Sequence, residues 1–307
     1  MKIQSHHIFI VFWSLVSILI IVSLLYKWWK QRKQKELQVV HISIRFWWLM
    51  VGIFLIAVII HSRLSVAFFG LISFLALKEF FTLIPNARAH RRVLFFAYLA
   101  IPTQFYWIYI KWYGMFIIYI PVYMFLLIPF MVSLTGDSHR FLRSVGSIHW
   151  GLMLMVFSIS HISYLFILPP SSEVNYEGAG LLLYVLILTR VNDTAHFLIG
   201  RRWGRHSLAS PQTKTWEGFT GGMIVTISMS YLLAPMLTPL NAIHSLFCGF
   251  ILSIGGFMGA VNISSLKYDL GVKPEELIPG HGGVLSRLDS LMFNAPIFFH
   301  YMHYFYY

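Results

Sequence analysis

The amino-acid sequence predicts an all-α, polytopic integral membrane protein with about eight to ten transmembrane helices. Hydrophobic residues make up 58% of the 307 residues, and charged residues make up only 11%. Soluble domains are typically about 45–50% apolar and about 25% charged. This apolar excess is too large for one water-soluble core, and the mean hydropathy of +0.71 agrees. The lipid bilayer is therefore the predicted solvent.

The apolar residues form runs of the length that a bilayer crossing needs, which is roughly 20 residues. The second, fourth and tenth runs give the weakest signal. Five cations follow the first run instead of a small-residue cleavage site, so we expect a membrane span there and not a signal peptide. The ten runs are 8–26, 46–60, 64–84, 93–110, 115–134, 145–168, 180–199, 219–238, 244–262 and 290–306.

The basic residues are distributed unevenly about these runs. Lys and Arg outnumber Asp and Glu by 23 to 11, and the net charge is +12. If the N-terminus lies outside, 19 of the Lys and Arg residues are cytoplasmic and three lie outside. This asymmetry follows the positive-inside rule. It predicts that the segments between alternate runs face the cytoplasm, and it predicts no nucleic-acid partner. The predicted cytoplasmic segments are 27–45, 85–92, 135–144, 200–218 (with Arg190) and 263–289.

The chemistry-bearing residues are concentrated in the second half of the chain. Residues 1–170 are predicted to be plain transmembrane helices. Residues 171–307 are predicted to form a catalytic transmembrane region, with cytoplasmic segments 200–218 and 263–289. The single cysteine, Cys248, excludes an internal disulfide and a cysteine-based zinc site.

The first polar group lies inside the seventh run and contains Arg190, Asn192, Asp193 and His196. A charge at the centre of a bilayer costs at least about 2.5–3.5 kcal/mol, so these residues predict a polar cavity. An interfacial position, with the helix starting later, is the alternative. His196 is four residues from Asn192 and three from Asp193, which predicts a shared helical face.

Two further segments suit phosphate binding. Residues 200–222 combine glycines, hydroxyls and cations, and Lys214 and Thr215 precede a helix predicted to start near Glu217, whose amino end favours an anion. Residues 264–289 combine cations and carboxylates with the glycine turn 280–283, whose backbone amides can curl round a phosphate. An ordinary basic loop is the alternative for the first segment. A purely structural loop is a weaker alternative for the second segment, because such a loop has little reason to hold so many ionisable groups at the bilayer surface.

Both segments resemble the signatures of the phosphatidate cytidylyltransferase (CDP-diglyceride synthase) family. The upstream signature is met by Asn192-Asp-Thr194, Gly200-Arg201, Gly204-Arg205, Ser210-Pro211 and Lys214-Thr-Trp-Glu-Gly218. The downstream signature is met by Ser264, Lys267, Lys273, Pro279-Gly-His-Gly-Gly283, Arg287 and Asp289.

The resemblance implies a membrane enzyme that converts CTP and phosphatidate, or a related lipid phosphate, to CDP-diacylglycerol and pyrophosphate with Mg²⁺. It leaves open whether K⁺ joins Mg²⁺ and whether the chain forms a homodimer. The implied catalytic residues are Lys214, Lys267, Lys273, His281 and Arg287. The implied nucleotide-binding residues are Thr215, Glu217, Gly280, Gly282 and Gly283. The implied metal ligands are Asp193, Asp269 and Asp289.

The chain departs from the family pattern at several positions. Ser286 replaces the first Asp of the Asp-Arg-x-Asp sequence, so one carboxylate stands where the family has two, three residues apart. Tyr268 replaces an Arg and Pro274 replaces an Asp. The segment between Lys273 and Pro279 is one residue shorter than in the family, so Glu275 or Glu276 is the alternative carboxylate there. Two alternatives to the enzyme follow: a non-catalytic family member that binds CTP or lipid, and a transporter of anionic solutes, which would use the same intramembrane charges.

Overall fold

Helices account for nearly all of the structure in the described residues. The computed structural model describes residues 2–30, 38–59, 62–84, 91–134, 141–168, 178–208, 214–271 and 283–307, and an isolated bridge between Ser207 and Thr215 is the only β pairing among them. The helices are α1 (Lys2–Lys30), α2 (Gln38–Ile59), α3 (Ser62–Leu83), α4 (Arg91–Tyr109), α5 (Tyr113–Ser133), α6 (Phe141–Ile167), α7 (Gly178–Trp203), α8 (Trp216–Leu237), α9 (Ala242–Asp269) and α10 (Leu285–Phe305).

Seven helices in the described part of the chain are long and apolar enough to cross a membrane, namely α1, α3 and α5 to α9. Helix α2 contains a shorter apolar segment, Trp47–Ile59. Helices α2, α4 and α10 contain the three apolar runs with the weakest signal. The prediction of an all-α, polytopic membrane protein is therefore confirmed.

Several helices continue past the predicted membrane boundary, α7 and α9 among them. The sequence predicts a cytoplasmic segment from residue 263, but α9 continues to Asp269 and ends where Gly271 adopts a positive φ of 69°. Helix α7 likewise reaches Trp203. Hydropathy marks the edge of the bilayer, whereas the backbone hydrogen bonds of a helix can continue into water. Lys267 therefore lies on a helix and not in a loop.

The helices group into two compact units. One unit contains Met1–Ile59 together with Leu165–Tyr307, and the other contains Ile60–Tyr164. Helices α1 and α2 thus belong with the C-terminal half of the chain. The predicted division near residue 170 concerns the location of the chemistry, and it stays a prediction.

Polar side chains stabilise the unit Ile60–Tyr164 from within. Ser73 Oγ donates a hydrogen bond to the Met155 carbonyl at 2.5 Å. Gln104 Nε2 donates to the Phe116 carbonyl at 3.0 Å. Met155 lies in the π-helical turn Leu152–Ser158 of α6, where the regular backbone pattern is interrupted. Such bonds matter in a membrane protein because hydrocarbon offers no polar partner.

Buried polar side chains also join α7 to α8, α9 and α10 in the other unit. Asn192 Oδ1 accepts hydrogen bonds from Thr226 on α8 at 3.0 Å and from Ser253 on α9 at 2.9 Å. Asn294 on α10 donates to Thr189 on α7 at 2.9 Å. Hydrogen bonds of this kind hold transmembrane helices together. They place α7 at the centre of the four helices.

Small residues on α9 allow α10 to approach closely. A Cβ atom at Gly255 would lie 2.5 Å from Asn294 Oδ1, and a Cβ atom at Gly259 would lie 2.4 Å from the Asp289 carbonyl. Both distances are too short for real contacts, so a larger residue would displace the Asn294 side chain at the first position and the α10 backbone at the second. Small residues commonly serve such close helix packing in membranes. The position of Asp289 therefore depends on these glycines.

The predicted orientation can be tested by cysteine labelling. Ser207 is exposed after α7, on the side predicted to be cytoplasmic, and Ala242 is exposed at the start of α9, on the side predicted to be outside. We expect an impermeant thiol reagent added to intact cells to label Ala242→Cys and not Ser207→Cys. The natural Cys248 is buried and gives a low background. Labelling of Ser207→Cys but not of Ala242→Cys would show that the protein has the opposite orientation in the membrane.

Candidate active site

The polar group predicted in the seventh run lies on α7, inside a helix long enough to cross the membrane. Arg190 is 6% exposed, Asn192 is 1% exposed and His196 is 6% exposed. The side chain of Asp193 is 24% exposed. Arg190 and Asp193 therefore lie in the middle of α7 and not at its end. This position fits the predicted polar cavity better than the interfacial alternative.

These residues point in two directions from α7. Asn192 contacts α8 and α9 through its hydrogen bonds. The His196 ring packs against Phe219 and stacks on Phe257, with centroid distances of 5.7 and 5.6 Å. Asp193 faces the start of α10 instead. The predicted shared face therefore holds for Asn192 and His196 but not for Asp193.

Asp193 is the centre of a charged hydrogen-bonded cluster. The Arg190 guanidinium lies 3.2 Å from Asp193 Oδ2, and Ser290 Oγ donates to Asp193 Oδ1 at 2.6 Å. Arg190 Nη2 also donates to the Arg287 carbonyl on α10. Charge-assisted bonds of this kind are shorter and stronger than neutral ones. They tie the first turns of α10 to the middle of α7.

A second carboxylate and a lysine lie within electrostatic range of Asp193. These groups are Asp289 and Lys214. The Asp289 carboxylate accepts a hydrogen bond from the Ser290 N–H at 2.8 Å. Asp269 is exposed at the end of α9, and the described residues contain no group of three His, Cys, Asp or Glu side chains that could hold a metal.

The pair of Asp193 and Asp289 nevertheless fits Mg²⁺. This ion is usually held by one or two carboxylates together with waters and substrate phosphates, and not by a complete protein cage. Asp193 and Asp289 interact electrostatically, and their binding of Mg²⁺ stays a prediction. A role for Asp269 stays a prediction.

Lys267 and Ser286 form the contact between the end of α9 and the start of α10. Lys267 is only 7% exposed, and its Nζ donates a hydrogen bond to Ser286 Oγ. Ser286, which stands where the family has an Asp, is therefore the hydrogen-bond partner of Lys267, a predicted phosphate-binding residue. Tyr268, another departure, is 66% exposed.

Glycines allow the end of α7 to pack closely against the start of α8. A Cβ atom at Gly204 would lie 2.2 Å from the Gly200 carbonyl and 2.7 Å from Thr215 Cγ2. Thr215 is the N-cap of α8 and accepts a hydrogen bond from the Gly218 N–H at 3.2 Å. These glycines therefore serve close packing, and that packing positions Lys214 beside α7.

Glu217 has a structural partner in the first turn of α8. Its Oε1 lies 2.6 Å from His206 Nδ1, and its carboxylate also accepts from the His206 N–H. The carboxylate thus fastens the segment after α7 to the start of α8. The predicted nucleotide contacts of Thr215 and Glu217 stay predictions beside these structural roles.

Part of the predicted site lies outside the described residues. Gly283 is described and is exposed two residues before α10. The residues outside the description are Lys273, Gly280, His281 and Gly282, together with Pro274, Glu275 and Glu276.

Sequence reasoning missed Ser290 and the Lys267–Ser286 contact. Ser290 directly follows Asp289, and a hydroxyl one residue after a predicted ligand in an apolar helix could have indicated a polar partner. The Lys267–Ser286 contact depends on how α10 packs on α9, and residue spacing carries no signal for it.

Comparison with known proteins places this site in a family. An uncharacterized protein, YnbB, from Escherichia coli (strain K12) is 38% identical over 297 residues, which cover 95% of this chain and 97% of that protein. A phosphatidate cytidylyltransferase from Haemophilus influenzae is 37% identical over 138 residues. A phosphatidate cytidylyltransferase from Staphylococcus aureus (strain COL) is 37% identical over 133 residues.

The two phosphatidate cytidylyltransferase matches cover 42% and 41% of this chain, and this chain spans about half the length of each enzyme (48% and 50%). The family model described as "Cytidylyltransferase family" matches residues 41–305, which is most of the chain. The match includes α7 to α10 and every described residue of the charged cluster. The chain belongs to the cytidylyltransferase family.

Proposed function

We propose that the protein is a membrane cytidylyltransferase that converts CTP and phosphatidate, or a related lipid phosphate, to CDP-diacylglycerol and pyrophosphate. The observation that carries this proposal is the cluster of Arg190, Asp193 and Ser290, with Asp289 and Lys214 nearby, inside a bundle of membrane-length helices. Membership of the cytidylyltransferase family supports CTP as the nucleotide substrate. The position of the cluster inside the membrane bundle favours a lipid phosphate as the second substrate.

The reaction asks for little covalent chemistry from the protein. An oxygen of the lipid phosphate attacks the α-phosphorus of CTP, a new P–O bond forms, and the bond to the leaving pyrophosphate breaks. Positioning and charge neutralisation dominate catalysis of such transfers. The side chains of this chain would therefore act by holding two anionic reactants close together and in line.

Cations on three elements suit that task. Lys214 lies before α8 and interacts electrostatically with Asp193, Lys267 is buried on α9, and Arg287 lies in the first turn of α10. We assign these residues to the phosphates, with Lys273 and His281 from the segment before α10. The nucleotide phosphates would also meet Gly280, Gly282 and Gly283, whose backbone amides suit an anion.

Asp193 and Asp289 are the proposed ligands of Mg²⁺, with Asp269 as a third candidate. A bound Mg²⁺ would supply positive charge that neutralises the substrate phosphates. The Arg190 guanidinium and Ser290 Oγ each hold one oxygen of Asp193, which fixes the direction of its carboxylate. We place this site on the cytoplasmic side of a bacterial inner membrane, where CTP is available.

Turnover by the purified protein tests the proposal against its alternatives. CTP labelled in its base is mixed with Mg²⁺ and phosphatidate, and label in the lipid fraction is counted. We expect label with phosphatidate and none with diacylglycerol, which lacks the attacking phosphate. Saturable CTP binding without lipid label would favour the non-catalytic role that Ser286 suggests. Uptake of an anion by sealed proteoliposomes, without lipid label, would favour a transporter.

A further inference from the structure

Arg190 is a buried cation that directly contacts a proposed metal ligand. Its Nη1 lies 3.2 Å from Asp193 Oδ2, and its side chain is only 8% exposed. Its Nη2 donates a hydrogen bond to the Arg287 carbonyl on α10. Arg190 precedes the residues that match the family signatures, which begin at Asn192. Its charge is therefore a feature of this chain to which the resemblance gives no role.

Positive charge outweighs negative charge around Asp193. Lys214 and the Asp289 carboxylate lie within electrostatic range of it. Lys267 reaches the first turn of α10 through its hydrogen bond to that helix. Together with Arg190, these described groups bring at least three cations to two carboxylates. A divalent cation is therefore repelled by the net charge of the cluster when no anion is bound.

The phosphates of a nucleotide would reverse this balance. A guanidinium forms paired hydrogen bonds with carboxylates and phosphates alike, so a triphosphate beside the cluster competes with Asp193 for Arg190. The contact of Arg190 with the Arg287 carbonyl does not involve Asp193, and it can keep the guanidinium in the cluster when the carboxylate contact is broken. Asp193 is 24% exposed, so it is then accessible to another cation.

We propose that Arg190 acts as a charge switch, which neutralises Asp193 in the nucleotide-free protein and turns to the phosphates when CTP binds. Binding of a divalent cation at Asp193 thereby depends on bound nucleotide. This inference rests on the proposed function for the identity of the nucleotide, and it does not depend on which lipid phosphate is the second substrate. Removal of the Arg190 charge should therefore change two affinities in opposite directions.

Arg190→Gln should bind a divalent cation more tightly and CTP more weakly. Mn²⁺, which takes the same oxygen ligands as Mg²⁺, is titrated into the purified protein without nucleotide, and free Mn²⁺ is counted by electron paramagnetic resonance. CTP binding is measured separately in EDTA. We expect Mn²⁺ affinity to rise about tenfold or more, a size typical of changes beside metal ligands. We expect metal-free CTP affinity to fall about tenfold, because a charged hydrogen bond is lost.

Two further variants separate the switch from a structural role. Arg202→Gln removes an exposed cation from the same helix, and both affinities should match those of the wild type. Asp193→Asn in the Arg190→Gln background should abolish the gain in Mn²⁺ affinity, because Asp193 is the ligand that the switch releases. A loss of both affinities in Arg190→Gln, or no change in either, would overturn the inference.

Asp193→Asn alone tests the switch with Arg190 in place. The guanidinium then has no carboxylate to compete with an incoming phosphate, so we expect metal-free CTP affinity to rise about tenfold. The added Arg190→Gln substitution should remove this rise. This result does not depend on whether Arg190→Gln folds by itself. A CTP affinity of Asp193→Asn that stays at the wild-type level would contradict the switch.

Binding and turnover separate this inference from the proposed function. Opposite shifts of the two affinities in Arg190→Gln, without CTP turnover on any lipid phosphate, would leave the switch standing and remove the proposed reaction. Turnover with phosphatidate, without these opposite shifts, would support the reaction and overturn the switch.

Discussion

Asp289→Asn is expected to lower CTP turnover with phosphatidate by at least about 100-fold, because preorganised charge at the reacting phosphates is typically worth that much in such sites. Asp289 lies within electrostatic range of Asp193, and the two are the proposed Mg²⁺ ligands. The substitution keeps the shape of the side chain and keeps an oxygen that can accept from the Ser290 N–H. The loss should therefore appear in kcat at saturating CTP, phosphatidate and Mg²⁺.

Two comparisons make the Asp289 result specific. The melting temperature of Asp289→Asn in detergent should stay close to that of the wild type, which separates loss of chemistry from loss of fold. Asp269→Asn removes an exposed carboxylate that is not grouped with the pair, and we expect a much smaller effect. Unchanged kcat in Asp289→Asn would remove Asp289 from the mechanism. A large loss of kcat in Asp269→Asn would instead support Asp269 as a metal ligand.

Ser286→Asp is expected to raise turnover about 100-fold, the size of effect that can follow from correct placement of a catalytic group. The new carboxylate would stand three residues from Asp289 on one helical face. Ser286 already accepts a hydrogen bond from the buried Lys267, so that lysine would also hold the new carboxylate in place. We expect slow turnover by the wild type and faster turnover by the variant at equal Mg²⁺ concentration.

Ser286→Asn is the control for this gain, because it has the shape of Asp without the charge. Turnover by Ser286→Asn should stay at the wild-type level. A wild type that already turns over briskly, with no improvement in Ser286→Asp, would mean that another group supplies the charge. Glu275 and Glu276 are then the residues to substitute.

The helices could largely be predicted from hydropathy, but their ends could not. Each of the ten apolar runs contributes to a helix in the described residues. The run that ends at residue 262 underestimates α9, which continues to Asp269. Hydropathy reports the thickness of the bilayer, and it is blind to the polar turns that extend a helix into water. This difference moved Lys267 from a predicted loop onto a helix.

The site was predicted in its residue types and only partly in its contacts. The cost of a buried charge correctly indicated that Arg190 and Asp193 occupy a polar site, because uncompensated charges are not tolerated in a bilayer. Helical spacing could not show that Asp193 faces α10 while His196 faces α8 and α9. That outcome depends on which neighbouring helix offers Ser290 and which offers aromatic rings. Long-range packing therefore decides what residue spacing alone leaves open.

The grouping of α1 and α2 with the C-terminal helices was also beyond prediction from the sequence. Both helices are apolar on most faces, so their patterns do not say which partner they pack against. The hydrogen bond from Trp47 on α2 to Thr194 on α7 supplies part of the answer. This grouping places α1 and α2 in the same unit as α7, the helix that carries Arg190 and Asp193.

The fate of each CTP phosphate tests the central claim most directly. The purified protein is incubated with phosphatidate, Mg²⁺ and CTP labelled either at the α- or at the γ-phosphate. We predict that α-label enters the lipid, that γ-label leaves as pyrophosphate, and that the two products form in equal amounts. Label from the γ-phosphate in the lipid, or release of pyrophosphate without labelled lipid, would contradict cytidylyl transfer to a lipid phosphate.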